Sequence, residues 1–132
     1  MLTQLIEKGM SKCEMYFPNL DGDFNMNNEK LKFGKFEINY LSETPVKDYV
    51  IRRFDLINTD LKEKRQIFHC QFLSWPDFGE PQNVDIFLNF MAKCIELGIL
   101  NDQSCPPIVH CSAGVGRTGT FILIDIVVKL VR

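Results

Sequence analysis

Lys35–Leu41 alternates apolar with polar residues, and Tyr49–Asn58 and Arg65–Leu73 are rich in β-branched and aromatic residues. These stretches predict three β-strands, each with one face against a core. Ser42-Glu-Thr-Pro45 and Thr59-Asp60 read as the breaks between them. Strands joined by such short connections pair with their sequence neighbours, so an antiparallel meander is expected. Ahead of it, Asp21–Lys30 is a polar loop full of turn formers. The period then changes. Val84–Leu97 confines Asp85, Asn89, Lys93 and Glu96 to one narrow stripe, which predicts a helix with most of its girth buried. Thr120–Val131 predicts a second, more apolar helix, with Asp125 and Lys129 one turn apart as an ion pair. Pro106–Val109 is an apolar run short enough for a buried strand.

Between that strand and the last helix lies His110-Cys-Ser-Ala-Gly-Val-Gly-Arg-Thr-Gly119. A strand, a glycine-punctuated turn and a helix start aim several backbone N–H groups, and the positive end of the helix dipole, at one point. Gly114 and Gly116 are expected to take left-handed dihedrals and let the backbone approach a ligand. Such a nest of amides suits a dianion such as phosphate. Cys111 enters the nest first, and amides plus a nearby guanidinium depress a thiol pKa to roughly 3.5–7.5. The resulting thiolate is a nucleophile at neutral pH. Arg117 offers a planar fork for two phosphoryl oxygens. Thr118 is placed to donate its hydroxyl to the thiolate, and His110 to fix the loop through its ring nitrogens.

Three other readings compete. Gly114-Val-Gly-Arg-Thr-Gly119 also spells G-x-G-x-x-G, but a dinucleotide fold needs an acidic residue roughly 20 positions on, and the sequence reaches Arg132 first. A Walker loop fails because Thr120-Phe121, not Lys-Ser/Thr, follows Gly119. A buried structural cysteine is the usual fate of a lone Cys, yet an arginine and two glycines in register with Cys111 argue against it. The repeated His-Cys dipeptides at 69–70 and 110–111 suggest no metal: neighbours on a strand point to opposite faces, and Cys13, Cys94 and Cys105 lack zinc-pair spacing.

His110–Gly119 resembles the signature of the protein tyrosine phosphatases, His-Cys-x-x-Gly-x-Gly-Arg-Ser/Thr-Gly, at every position. Trp75-Pro-Asp-Phe-Gly79 resembles the mobile loop that carries that family's general acid. Arg65–Phe72 resembles the strand leading into it, and Met1-Leu-Thr3 a strand-to-loop segment near mid-domain. The likeness covers nearly the whole chain, and the tryptophan-bearing loop favours the tyrosine-specific branch over the dual-specificity one. It implies an α/β fold of the α+β kind: part of a phosphatase domain with a mixed twisted sheet, an antiparallel meander and flanking helices. It implies hydrolysis of phosphotyrosine through a cysteinyl phosphate on Cys111, with Asp77 protonating the leaving oxygen and Arg117 binding the phosphoryl group. Substrate would be met by Asp77 and by Cys111, Ser112, Ala113, Gly114, Val115, Gly116 and Arg117. His110, Thr118, Trp75, Pro76 and Gly79 would support them. No cofactor or metal is implied, and the partner is a phosphotyrosine-containing protein or peptide.

The chain also departs from the family. Catalytic domains there are about twice this length, so residues 1–132 correspond to the middle and later part of one. Nothing matches the family's Asn-Arg-Tyr loop, which grips the phosphotyrosine ring, and no glutamine follows Cys111 to position the hydrolytic water. The alternative function is therefore an inactive or impaired truncated fragment that at most binds phosphorylated ligands. Its apolar helices are expected to leave faces uncovered, and so to promote self-association.

Composition bounds the rest. Five cysteines without framework spacing suit a reducing compartment. No signal peptide opens the chain, and its longest apolar stretch is too short to span a bilayer. A net charge of −2, with no basic run beyond Lys62-Glu-Lys-Arg65, gives no footprint for nucleic acid. The expected location is cytoplasmic.

Overall fold

The computed structural model describes residues 1–18, 30–76, 79–81 and 83–131. Among them lie six strands, β1 (Ile6–Glu7), β2 (Met10–Ser11), β3 (Lys30–Phe33), β4 (Phe36–Val46), β5 (Tyr49–Asn58) and β6 (Glu63–Phe72), and two helices, α1 (Val84–Glu96) and α2 (Gly116–Leu130). β3 to β6 form one sheet in chain order and β1 pairs with β2 in a second. The Lys47-Asp48 and Thr59–Lys62 connections are too short for a crossover, so these pairs are antiparallel and the expected meander is present.

Three differences from the sequence reading have local causes. Residues 42–45, expected as a break, continue β4. β3 pairs with Phe36–Asn39 only, so at Pro45 no neighbour on that side needs the missing N–H. β3 itself was hidden by the polar run before it. It forms a hairpin in which Phe33 faces Phe36 across Gly34-Lys35, and Gly34 has φ +57°. Pro106–Val109 joins no strand ladder and is not buried, with Ile108 91% exposed. Pro106 and Pro107 have no N–H to donate. The expected loop at Asp21–Lys30 lies outside the described residues except for Lys30.

The chain divides into two compact units. One comprises Glu14–Pro45 and Ile51–His69. Its core gathers Phe17, Phe54 and His69, with the Arg52 guanidinium over the Phe17 ring at 4.7 Å. The other comprises Met1–Cys13, Val46–Val50 and Cys70–Arg132, the stretches that hold both sequence motifs. There α1 buries Phe87, Phe90, Met91 and Cys94, one stripe at i, i+3, i+4 and i+7. Phe72, Trp75 and Phe121 close around Phe87 and Phe90 with ring centroids 5.1–6.3 Å apart. The buried stripe is narrower than expected, since Val84 and Leu88 are exposed. On α2 only Arg117, Thr118 and Phe121 are buried. Asp125 and Lys129 form the expected pair at 2.7 Å.

Candidate active site

The loop that holds Cys111 is built by a helix that starts early. α2 begins at Gly116, four residues before the apolar run, so the loop's second half is its first turn. Val115, at the N-cap position, offers no side-chain cap. The unfilled N–H groups of a first turn need an acceptor, and the Cys111 sulfur provides it. The backbone N–H groups of Thr118, Gly114 and Val115 donate to Sγ. The Thr118 hydroxyl adds a fourth hydrogen bond at 3.1 Å. Burial pushes the Cys111 thiol up, but these donors outweigh it and the pKa falls below that of an ordinary cysteine. Gly114, whose N–H meets the sulfur, takes φ +75°, at which a side chain is strained. Gly116 does not share that geometry: it lies in the right-handed helix, so its expected left-handed conformation is not found.

Ser112 to Gly116 form an exposed rim, while Cys111, Arg117 and Thr118 are buried. The His110 Nδ1 lies 3.0 Å from its neighbour Cys111's carbonyl oxygen. A carbonyl only accepts, so Nδ1 carries the proton and the ring is held as one tautomer. Burial lowers the His110 pKa, partly offset by that hydrogen bond.

Arg117 is held by a residue that sequence reasoning missed. Its Nη1 and Nη2 donate to Glu7 Oε1 and Oε2 at 2.6 and 2.8 Å, and Nη1 also donates to the Leu2 carbonyl at 3.0 Å. Hydrogen bonds from Arg117 are the main cause that holds the Glu7 carboxyl down at about 2, against burial, with help from Thr3 and Gln4. Glu7 sits where Lys8 (φ +50°) and Gly9 (φ +77°) turn β1 into β2. A buried arginine requires a partner, but the sequence holds 17 acidic residues and none is marked by spacing.

The second motif is described in part. Trp75 is buried, stands edge-on to Phe87, and donates from Nε1 to the Gly79 carbonyl at 3.2 Å. That bond joins the two ends of the second motif, and Gly79 takes φ +93° there. Pro76 is half-buried. Asp77 lies outside the described residues. Among those described, no group of three or more His, Cys, Asp or Glu is placed to hold a metal ion, and no helix is long and apolar enough to cross a membrane.

A cysteine nested at a helix start, an arginine anchored six positions on by Glu7, and a segment braced by the Trp75 to Gly79 hydrogen bond make up the candidate site. The chain belongs to the protein-tyrosine phosphatase family, whose sequence model matches residues 1–132. It is 39% identical over 125 residues to human tyrosine-protein phosphatase non-receptor type 2, covering 95% of this chain and 29% of that protein. It is 36% identical over 132 residues to chicken receptor-type tyrosine-protein phosphatase eta, covering all of this chain and 9% of that protein. It is 38% identical over 137 aligned positions to tyrosine-protein phosphatase corkscrew of Drosophila virilis, covering all of this chain and 17% of that protein. The chain thus spans less than a third of each of these relatives.

Proposed function

We propose that this chain carries the catalytic centre of a phosphotyrosine-specific phosphatase. The observation that carries the reading is the Cys111 thiol, whose pKa is lowered by four converging donors despite burial. Its sulfur attacks phosphorus, an S–P bond forms and the P–O bond to the tyrosine ring breaks. Asp77 gives its proton to the departing oxygen. Arg117 and the loop amides of Ser112 to Gly116 hold the phosphoryl oxygens as charge redistributes. Water then cleaves the S–P bond, releasing inorganic phosphate and restoring the thiolate. The substrate is a phosphotyrosine-containing protein or peptide, and the chain is one part of a longer domain, consistent with its short coverage of its relatives. A cytoplasmic setting suits five cysteines of which none is in a disulfide.

The test is hydrolysis of two aryl phosphates, one with an activated and one with a poor leaving group. Asp77→Ala should cost roughly 10²–10⁴-fold for the poor leaving group and far less for the activated one. Cys111→Ser should abolish both, and Arg117→Ala should damage both alike. Equal losses on the two substrates in the Asp77 variant would remove it as the acid. A second reading, an impaired fragment that only binds phosphorylated ligands, is favoured by the exposed apolar face of α2. Oxyanion binding without turnover would select it.

A further inference from the structure

We infer that Thr3 and Gln71 are positioning residues for Arg117, acting through Glu7 as a buried polar chain that runs from β6 to the phosphate-binding loop. The inference rests on Arg117 binding the phosphoryl group. Thr3 is 1% exposed and Gln71 4%. Gln71 Nε2 donates to the Thr3 carbonyl at 3.0 Å, and Thr3 Oγ1 lies 2.9 Å from Glu7 Oε1. The same hydroxyl is 3.0 Å from the Gln4 carbonyl. A hydroxyl has one proton, and a carboxylate makes the stronger acceptor, so the bond goes to Glu7. Oε1 therefore accepts from Arg117, Thr3 and the Gln4 N–H, while Oε2 accepts from Arg117.

Two parallel N–H···O bonds keep a guanidinium coplanar with its carboxylate. Whatever sets the carboxylate plane consequently sets the tilt of the arginine. The Thr3 hydroxyl and Gln4 amide pin one oxygen from the side, and Gln71 fixes the Thr3 peptide from which that hydroxyl projects. Gln71 stands four positions before Trp75 on the strand that enters the acid loop. One chain of hydrogen bonds thus ties the base of the acid loop to the phosphoryl-binding arginine.

Thr3→Val keeps the shape and deletes the hydroxyl. With tungstate as an inert phosphate analogue, its affinity should fall on the order of tenfold, the scale of a hydrogen bond to a charged group. The carboxyl carbon-13 titration of Glu7, centred at about 2 in the parent chain, should move up because one donor to the anion is gone. Thr3→Ser should restore both readouts, which a merely space-filling role would not produce. Gln71→Met should weaken tungstate binding less, and it carries the test if Thr3→Val does not fold. Parent-like tungstate affinity with an unmoved Glu7 titration in the folded variant overturns the inference. If Arg117→Ala also binds tungstate like the parent, the reading of Arg117 itself fails, a separate result.

Discussion

Cys111 is 7% exposed, and burial alone would hold its proton on. Its depressed pKa therefore measures the converging donors, and it should alkylate with iodoacetamide at pH 6 faster than Cys13, Cys70, Cys94 or Cys105, as peptide mass mapping would show. A rate no higher than the others means the loop is not formed as described. Glu7 gives a second expectation. Its folded pKa of about 2 lies below the ordinary carboxylate value of 4.5, so its contribution is complete above pH 4.5 and is lost as pH falls toward 2. On the order of 3 kcal/mol is at stake. Urea melts across that range should show the acid limb, and Glu7→Gln should flatten it while lowering stability at pH 7. Cys111, His110, Arg117 and Thr118 were legible because they lie within nine consecutive residues. Glu7 was not, because 110 positions separate it from Arg117 and only folding brings them together.

Among the elements, legibility followed local signals. β5 matches its apolar pattern end to end, and α1 ends one residue short of the expected limit, at Glu96. α1 also starts as its chemistry requires: Asn83 Oδ1 accepts from the Asp85 N–H at 2.9 Å. Asn83→Ala should therefore cost about 1 kcal/mol, read as a lower thermal midpoint with an unchanged fold. The start of α2 was misread because Gly116, Arg117, Thr118 and Gly119 look like loop residues by composition. Their helical conformation is favoured by the acceptor at Cys111, which no propensity records. β1 and β2, two residues each, offer too little pattern for a period-two signal.

For the molecule as a whole, the exposed side of α2 sets the expectation. Leu123, Leu130 and Val131 are 62%, 80% and 79% exposed, and Ile122, Ile126 and Val127 are exposed beside them. Burying one such side chain is worth roughly 1.5–3 kcal/mol, against a net domain stability of about 5–15 kcal/mol. Purified residues 1–132 should bind a hydrophobic dye and sediment as more than a monomer; a sharply melting monomer with steady turnover would contradict this. The Leu2 peptide group has a different consequence. Its N–H donates to the His110 carbonyl at 2.8 Å and its carbonyl accepts from Arg117 at 3.0 Å, so one residue clasps the loop at entry and exit. The Arg117 contact spans 115 positions, and the entropy of closing so long a loop must be met before it forms. The clasp thus depends on closure of nearly the whole chain, whereas the donors around Cys111 all lie within seven positions of it.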